Sequence, residues 1–300
     1  MSLPTQDILI NPYEQYGENE KRVFGSQRLI VPTFSPALNA RFDYGGIEPA
    51  QVMMLGAKSG IGKTYFILNW IRFLMENKFR ITFFSLDMEF RRMFIALLRQ
   101  ILEKGRVEST LQWKADKEHV KQMLIKSGYF DYLRIYTNEK KIISFDEISF
   151  ICDKEKPDIV FIDHFSKVWG TGDNVFKESK TTSEYFWRAK RELNTIFVIL
   201  IQMKKAGYGN YIKKNGNQTN EQNMIPPGED EYKGAGEIKE NADILLSLSR
   251  PERDKDCPEG YKGKVVGAIR KNRNQDVSMT DHLFWNYSNI TTRMWDSPFQ

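Results

Sequence analysis

The sequence predicts an α/β fold in which helices cover both faces of a mostly parallel sheet. From Gln51 onward, short runs of Val, Ile and Phe alternate with longer amphipathic segments. Strands that are apolar along their whole length are typical of a parallel sheet that is buried on both faces. In addition, a glycine-rich segment ending in Gly62-Lys63-Thr64 lies between the first strand and the first long helix. A chain of 300 residues is long enough for one large domain and at most two.

The elements follow from hydrophobic periodicity in chain order. Residues 1–45 are polar and aromatic with little periodicity, so we predict an N-terminal extension there, a candidate subunit-contact arm, followed by one domain at 46–300. The predicted strands are Val52–Leu55, Arg80–Ser85, Tyr132–Tyr136, Asp158–Ile162, Ile196–Ile201, Ile244–Leu248 and Lys264–Ala268, with a C-terminal β-ribbon near Met279–Asn286. The predicted helices are Lys63–Met75, Phe90–Glu103, 106–127, Phe145–Lys154 and Ser183–Leu193.

Two segments interrupt this alternation. Gly170–Thr182 and Ala206–Lys233 are rich in Gly, Asn and Lys and poor in apolar residues, so both are predicted to be long loops. Loops of such length inside a compact domain are uncommon and are usually functional or disordered. Both follow candidate central strands, at the end of the sheet where α/β folds bind ligands.

Composition excludes several classes of protein. The longest purely apolar runs have about five residues, well below the ~20 needed to cross a bilayer. The N-terminus lacks the basic start and apolar stretch of a signal peptide. Two cysteines, Cys152 and Cys257, are too few for a disulfide framework or a four-thiolate zinc site. We therefore expect an intracellular protein without a membrane partner, whose net charge of +5 permits but does not establish nucleic-acid binding.

The strongest motif is a phosphate-binding loop. The segment Ala57-Lys58-Ser59-Gly60-Ile61-Gly62-Lys63-Thr64 fits the pattern with Ala in place of the first Gly, and Tyr65 follows it in the first helical turn. Amides of such a loop and of the helix N-terminus present positive partial charge to a triphosphate. The lysine reaches the β and γ phosphates, and the Thr hydroxyl binds magnesium. These residues predict ATP and Mg²⁺ as cofactors.

Acidic residues follow two of the other predicted strands. Asp163 comes directly after an apolar strand and is the candidate magnesium ligand beside Thr64, although an aspartate can also cap a turn there. Asp87 and Glu89 follow the second strand, and either is a candidate for orienting or deprotonating the attacking water. As isolated residues, both could equally be first-turn acids of the next helix.

The order of these motifs resembles the ATPase domain of DnaB-type replicative helicases, which are RecA-like hexameric motors that encircle single-stranded DNA. The resemblance runs from about Gly45 to about Trp285. It implies a RecA-like P-loop NTPase fold with a mostly parallel central sheet flanked by helices and a C-terminal β-ribbon. The segments that carry it are the phosphate loop, FFSLDM (83–88), IVFIDHF (159–165), VILIQM (198–203), a Gly-Glu-Ile-x-x-x-Ala-Asp run (236–243) and RKNRN (270–274).

The resemblance also implies roles for particular residues. Asp87 stands where the family usually has a catalytic glutamate, a departure that leaves the assignment open between Asp87 and Glu89. Gln202 matches the residue that senses the γ-phosphate, with an ordinary strand-end polar residue as the alternative. Lys271 and Arg273 match a basic pair that enters the ATP site of the neighbouring subunit, and the alternative is a solvated basic ribbon. We place Arg273 on an edge ribbon.

Single-stranded DNA is the predicted polymer partner. Flexible basic loops suit a non-specific contact with phosphates, although a disordered surface excursion would have the same composition. Lys233 and Gly236 align with the family segment that touches the DNA backbone. The candidate DNA-binding residues are Lys177, Lys180, Lys204, Lys205, Lys213, Lys214, Lys233 and Gly236.

The sequence thus predicts an ATP-dependent replicative DNA helicase motor that translocates 5′ to 3′ as a homohexameric ring in the cytoplasm of a prokaryotic cell or phage-infected host. A primase or a helicase loader is a candidate further partner. The large helical N-terminal domain of most such helicases is missing, which predicts a phage or plasmid type or an excised motor domain. The alternatives are a strand-exchange recombinase of the RecA kind and a RecA-fold signalling ATPase without a DNA role.

Overall fold

The computed structural model describes residues 29–103, 117–137, 143–169, 175–203, 226–228, 240–253, 257–277 and 281–298, with backbone alone for 169 and 175–180. Its strands are β1 Val52–Ala57, β2 Ile81–Ser85, β3 Leu133–Tyr136, β4 Ile143–Ser144, β5 Ile159–Asp163, β6 Val168–Trp169, β7 Ile196–Gln202, β8 Ile244–Ser249, β9 Lys264–Asn272, β10 Leu283–Tyr287 and β11 Met294–Asp296. Its α-helices are α1 Pro36–Asn39, α2 Lys63–Glu76, α3 Phe90–Leu102, α4 Lys117–Ser127, α5 Phe145–Glu155 and α6 Val175–Glu192. Within these ranges, no helix is both long and apolar enough to cross a bilayer.

Nine of these strands form one sheet, in the order β11-β10-β9-β8-β1-β7-β5-β2-β3. The six strands from β8 to β3 run parallel to one another. The last three, β9 to β11, continue the sheet as an antiparallel meander. This confirms the predicted α/β class, the mostly parallel sheet and the C-terminal β-ribbon.

Side chains that alternate along each strand supply two separate cores, one on each face of the sheet. On β1, Met53 and Leu55 point into the core shared with α2 and α3, while Val52 and Met54 point into the core shared with α5 and α6. Helix α2 covers its face with the fully buried Phe66, Trp70 and other apolar side chains. Burial on both faces explains why the central strands are apolar along their whole length.

Two of the sequence-based predictions are wrong. Helix α6 begins at Val175, not at Ser183, so the second half of the predicted loop Gly170–Thr182 is helical. Polar residues at the start of a helix give little periodic signal, and the buried apolar residues of α6, such as Phe186, come only in its second half. In addition, β9 is not an edge strand, because β8 and β10 flank it on both sides.

The described part of the predicted N-terminal extension packs against the domain of its own chain. Val31 forms an isolated β-bridge with Ile47, and both side chains are fully buried. The indole of Trp70 donates a hydrogen bond to the carbonyl of Pro32 at 2.9 Å. Ser35 caps α1 with its hydroxyl oxygen and donates its own hydrogen to a carboxylate at the end of β11. The rest of the predicted extension, residues 1–28, lies outside the described residues.

Candidate functional site

The strand register brings the predicted catalytic segments to one edge of the sheet. Ala57, at the end of β1, pairs with Gln202 of β7 on one side and with Leu248 of β8 on the other. Two strands away from β1, Asp163 of β5 pairs with Ser85 of β2. Because the carboxyl ends of parallel strands meet at one edge, the phosphate loop, Gln202, Asp163 and the segment after β2 share that edge.

The phosphate loop has the backbone geometry of an anion site. Gly60 and Gly62 have φ angles of +78° and +111°, a region that L side chains rarely adopt, so both positions require glycine. Ile61 between them is buried and anchors the loop, whereas Ser59 and Gly60 are exposed. Helix α2 starts at Lys63 with no side-chain cap, so its first amides remain available to an anion.

The ammonium group of Lys63 lies across this loop. It donates hydrogen bonds to the carbonyl oxygens of Ala57 at 2.9 Å and Lys58 at 3.2 Å. Burial lowers the pKa of Lys63, and the negative charges of Asp163 and Asp87 act against that shift. The lysine therefore belongs to the same electrostatic cluster as the two aspartates, as a phosphate-binding lysine beside a metal site should.

Thr64 and Asp163 form the candidate magnesium site. The Thr64 hydroxyl donates a hydrogen bond to Asp163 Oδ2 at 2.7 Å, across the end of β7. Asp163 is only 3% exposed, and this burial raises its pKa to about 6, with Asp87 adding to the rise and the Thr64 hydrogen bond and Lys63 opposing it. A carboxylate held in so unfavourable a setting is a good ligand for a cation. One carboxylate and one hydroxyl are also the protein ligands that Mg²⁺ takes when phosphates and water supply the rest.

Asp87 and Glu89, the two candidates for the water-orienting acid, occupy different environments. The amides of Leu86 and Asp87 both donate to the carbonyl oxygen of Asp163, at 2.7 and 3.1 Å, which fixes this turn against the magnesium site. The charge of Asp87 acts on both Lys63 and Asp163. Glu89, by contrast, has a 64% exposed side chain that pairs with Arg92 at 3.7 Å. The geometry thus favours Asp87 as the acid that acts in the site.

Gln202 and Tyr65 border the loop on opposite sides. Gln202 ends β7 with a partly exposed side chain next to Ala57, and the amide of the following Met203 donates to the Ala57 carbonyl at 3.1 Å. The Ala57 carbonyl therefore joins the end of β7 to the Lys63 ammonium. Tyr65 is partly buried and packs against the core beneath the loop.

Arg273 lies at the opposite edge of the sheet from the phosphate loop. Asn272, the last residue of β9, pairs with Ile244 at the start of β8, and Ile244 is next to Met53 at the start of β1. The phosphate loop leaves the sheet at Ala57, four residues further along β1. At ~3.3 Å a residue, these two levels are about 13 Å apart.

The Arg273 guanidinium is held by a buried ionic network at this opposite edge. It donates to the carbonyl of Glu240 and lies 3.6 Å from Asp243 Oδ1. The other carboxylate oxygen of Asp243 accepts from the Lys190 ammonium at 2.5 Å and from the amide of Val52 at 2.7 Å. Asp243 thus joins α6, β1 and β8 to the candidate arginine.

Lys271 follows a register shift in β9. Arg270 is the extra residue between Lys271 and Ile269, which pair with consecutive residues of β8. Such a bulge bends the strand and re-aims the side chains beyond it. The Arg270 guanidinium donates to the Pro227 carbonyl at 3.0 Å, which ties the end of the second long segment to this strand.

The predicted DNA-binding residues are mostly beyond the described parts of the chain. Lys177 and Lys180 lie in the first turns of α6, so the predicted loop position is wrong for both. The others lie outside the described residues: Lys204, Lys205, Lys213, Lys214, Lys233 and Gly236.

Sequence analysis overlooked basic residues directly after β8. Arg253 donates from its guanidinium to the Gly60 carbonyl in the phosphate loop at 3.3 Å. Arg250 is buried, and its guanidinium carbon lies 4.2 Å from the centre of the Tyr287 ring. The signal that could have found them is the one that found Asp163, namely charged residues following an apolar parallel strand.

Comparison with known proteins agrees with this site. Residues 32–291 match the family described as DnaB-like helicase C terminal domain. The fold is similar to that of a DnaB-like replicative helicase whose interactions with primase were also determined, with a TM-score of 0.72, 18% identity, and coverage of 97% of this chain and 68% of that one. It is also similar to a separately solved ATPase domain, with a TM-score of 0.75, 18% identity, and coverage of 96% of this chain and 99% of that one. Among curated protein sequences, none matches.

The family match spans nearly the whole described chain and includes the phosphate loop, the Thr64–Asp163 pair, Asp87 and the basic strand β9. The chain therefore belongs to the DnaB-like helicase C-terminal domain family and is an ATP-hydrolysing, ATP-dependent replicative helicase domain.

Proposed function

We propose that this domain hydrolyses ATP at sites shared between neighbouring subunits of a hexameric ring, and that it uses the energy to move 5′ to 3′ along single-stranded DNA. The observation that carries the proposal is the separation of two halves of one catalytic site. The phosphate loop, Asp163 and Asp87 lie at one edge of the sheet, and Arg273 lies at the other.

Within one subunit, the residues at the loop edge would bind and orient ATP. Amides of the loop and of the α2 N-terminus receive the phosphates, and the Lys63 ammonium would leave its two carbonyl partners for the stronger charged acceptor. Thr64 and Asp163 would hold Mg²⁺, which neutralises phosphate charge when bound. Asp87 would orient the attacking water, and Gln202, at the end of β7, would contact the γ-phosphate.

The second half of the site would come from the neighbouring subunit. A phosphoryl-transfer transition state carries extra negative charge on its equatorial oxygens, and an arginine supplied in trans stabilises that charge. Arg273, with Lys271 beside it, is suited to this role because its own phosphate loop is roughly 13 Å away along the strands. A head-to-tail contact of this kind closes into a ring when the rotation between subunits permits.

DNA would bind through basic residues that follow the central strands. We propose Lys177 and Lys180 at the start of α6, together with Lys204, Lys205, Lys213, Lys214, Lys233 and Gly236. The solved DnaB-like helicase, which was described with its interactions with primase, supports primase as a further partner, and a loader is a second candidate. A replicative motor of this kind would act in the cytoplasm of a prokaryotic cell or an infected host.

Electron microscopy of the protein with a non-hydrolysable ATP analogue and single-stranded DNA tests this proposal. We expect closed six-membered rings with DNA in the channel, and ATP hydrolysis that rises when single-stranded DNA is added. Helical filaments would instead indicate a strand-exchange recombinase. Monomers whose ATP hydrolysis ignores DNA would indicate an ATPase without a DNA role.

A further inference from the structure

The turn that follows β8 reaches the mouth of the phosphate loop. Leu248 of β8 pairs with Ala57 of β1, so the chain leaving β8 emerges beside the start of the loop. A single 3₁₀ turn, Pro251–Arg253, follows at once. Its last residue places a guanidinium N–H 3.3 Å from the carbonyl oxygen of Gly60.

This turn is firmly held by the residues around it. Pro251 and Arg250 are buried, and the Arg250 guanidinium stacks on Tyr287 and donates to Asn289 Oδ1 at 2.6 Å. Glu252 pairs with Arg250 and accepts the amide of Gly263 at 2.9 Å. The amide of Arg253 donates to the Arg250 carbonyl at 3.1 Å, which closes the turn. The backbone of Arg253 therefore has a fixed position relative to the loop.

The surroundings of Gly60 are open on the side that Arg253 faces. Gly60 is exposed, and a Cβ atom built on it would meet nothing within 4 Å. The Lys63 ammonium occupies the inner side of the loop, on the carbonyls of Ala57 and Lys58. The loop is thus flanked by two cations from the same chain, Lys63 within and Arg253 at the exposed rim.

An arginine at this rim has the chemistry of a phosphate ligand. A guanidinium carries five N–H donors in a planar fork that matches two phosphate oxygens at once. The contact with Gly60 uses one of these donors on a neutral carbonyl. A hydrogen bond from the same group to an ionised phosphate would be roughly twice as strong.

We propose that Arg253 is a phosphate-binding residue of the ATP site, contacting the polyphosphate chain of the nucleotide bound by its own subunit. It would act in cis, whereas Arg273 would act in trans from the opposite edge of the sheet. This inference rests on the proposed function, since it assumes that the loop binds a nucleoside triphosphate.

The test measures ATP and ADP affinity by isothermal titration calorimetry for the wild type, Arg253→Ala, Arg253→Gln and Arg253→Lys. Losing a charged hydrogen bond to phosphate should weaken ATP binding about 10- to 100-fold in the alanine variant. Lysine retains the charge and should restore most of the affinity. Glutamine retains an N–H donor for Gly60 without the charge and should bind as weakly as alanine.

A matched control is Arg134→Ala, which removes an exposed arginine paired with Glu155 at 3.5 Å on the outermost parallel strand. It should bind ATP as the wild type does, and thermal unfolding should be unchanged in all Arg253 variants because that side chain is exposed. Wild-type affinity in Arg253→Ala, or full rescue by glutamine, would overturn the inference and leave Arg253 as a strap on the loop. Failure of the wild type to bind ATP would instead contradict the proposed function itself.

Discussion

Replacing Arg273 by alanine separates ATP binding from ATP hydrolysis if the site is shared between subunits. The side chain projects from the end of β9 that lies near Ile244 and Met53, four residues short of the level at which the phosphate loop begins. At ~3.3 Å a residue the gap is about 13 Å before the bend of the loop is counted. Arg273 should therefore contribute nothing to ATP affinity within its own subunit.

The expected loss in turnover is large. Arginines supplied in trans accelerate phosphoryl transfer by about 10³- to 10⁵-fold, so Arg273→Ala should lower kcat by a factor in that range. Its structural cost should be small, because Asp243 keeps its ion pair with Lys190 and its hydrogen bond from Val52. ATP affinity and the thermal unfolding midpoint should both stay close to those of the wild type.

The assay is complementation in mixed rings. Arg273→Ala retains an intact phosphate loop, and Lys63→Ala retains an intact arginine, so a Lys63→Ala subunit can complete the site of an Arg273→Ala neighbour. With equal random mixing, about one interface in four contains the productive arrangement. We expect roughly that fraction of wild-type hydrolysis from the mixture and almost none from either variant alone. No recovery, in rings shown to contain both variants, would refute trans action.

Three further predictions follow from the same geometry. Asp87→Asn should preserve ATP affinity but reduce turnover about 10²- to 10⁴-fold, while the exposed Glu89→Gln should be nearly normal in steady-state kinetics; the reverse result would move the catalytic role to Glu89. Lys190→Met should cost about 3–5 kcal/mol in urea unfolding by leaving the buried Asp243 carboxylate without its close cation; the double variant with Asp243→Asn should be more stable than the single one, and the opposite order would contradict this. Alanine in place of the four lysines after β7 should weaken single-stranded DNA binding and flatten its salt dependence in fluorescence anisotropy; an unchanged slope would exclude these residues from the DNA contact: Lys204, Lys205, Lys213 and Lys214.

Sequence patterns predicted the features that depend on local chemistry. The central strands are apolar throughout because both faces are buried, and that composition predicted them within one or two residues. Asp163 was recognisable because a charged residue directly after such a strand must lie at the edge of the sheet. The phosphate loop was recognisable because Gly60 and Gly62 adopt positive φ angles that only glycine adopts readily.

Features that depend on contacts distant in sequence were not predictable. Arg253 and Gly60 are 193 residues apart, and only the pairing of β8 with β1 brings them together. Likewise, the place of β9 inside the sheet depends on β10 and β11 lying beyond it, which no local pattern in β9 reveals. Helix α6 was predicted too short because its first turns are polar, and helical periodicity is visible only where apolar residues recur.

ATP-dependent unwinding of a forked DNA duplex by the wild type and by Lys63→Ala tests the central claim most directly. Lys63 lies across the phosphate loop and faces the charges of Asp163 and Asp87, so its loss should abolish hydrolysis while the fold stays intact. We predict that the wild type separates a fork with a 5′ single-stranded tail only when ATP and Mg²⁺ are present, and that Lys63→Ala separates none. Unwinding by Lys63→Ala at the wild-type rate, or a folded wild type that hydrolyses ATP but never separates the strands, would contradict the account.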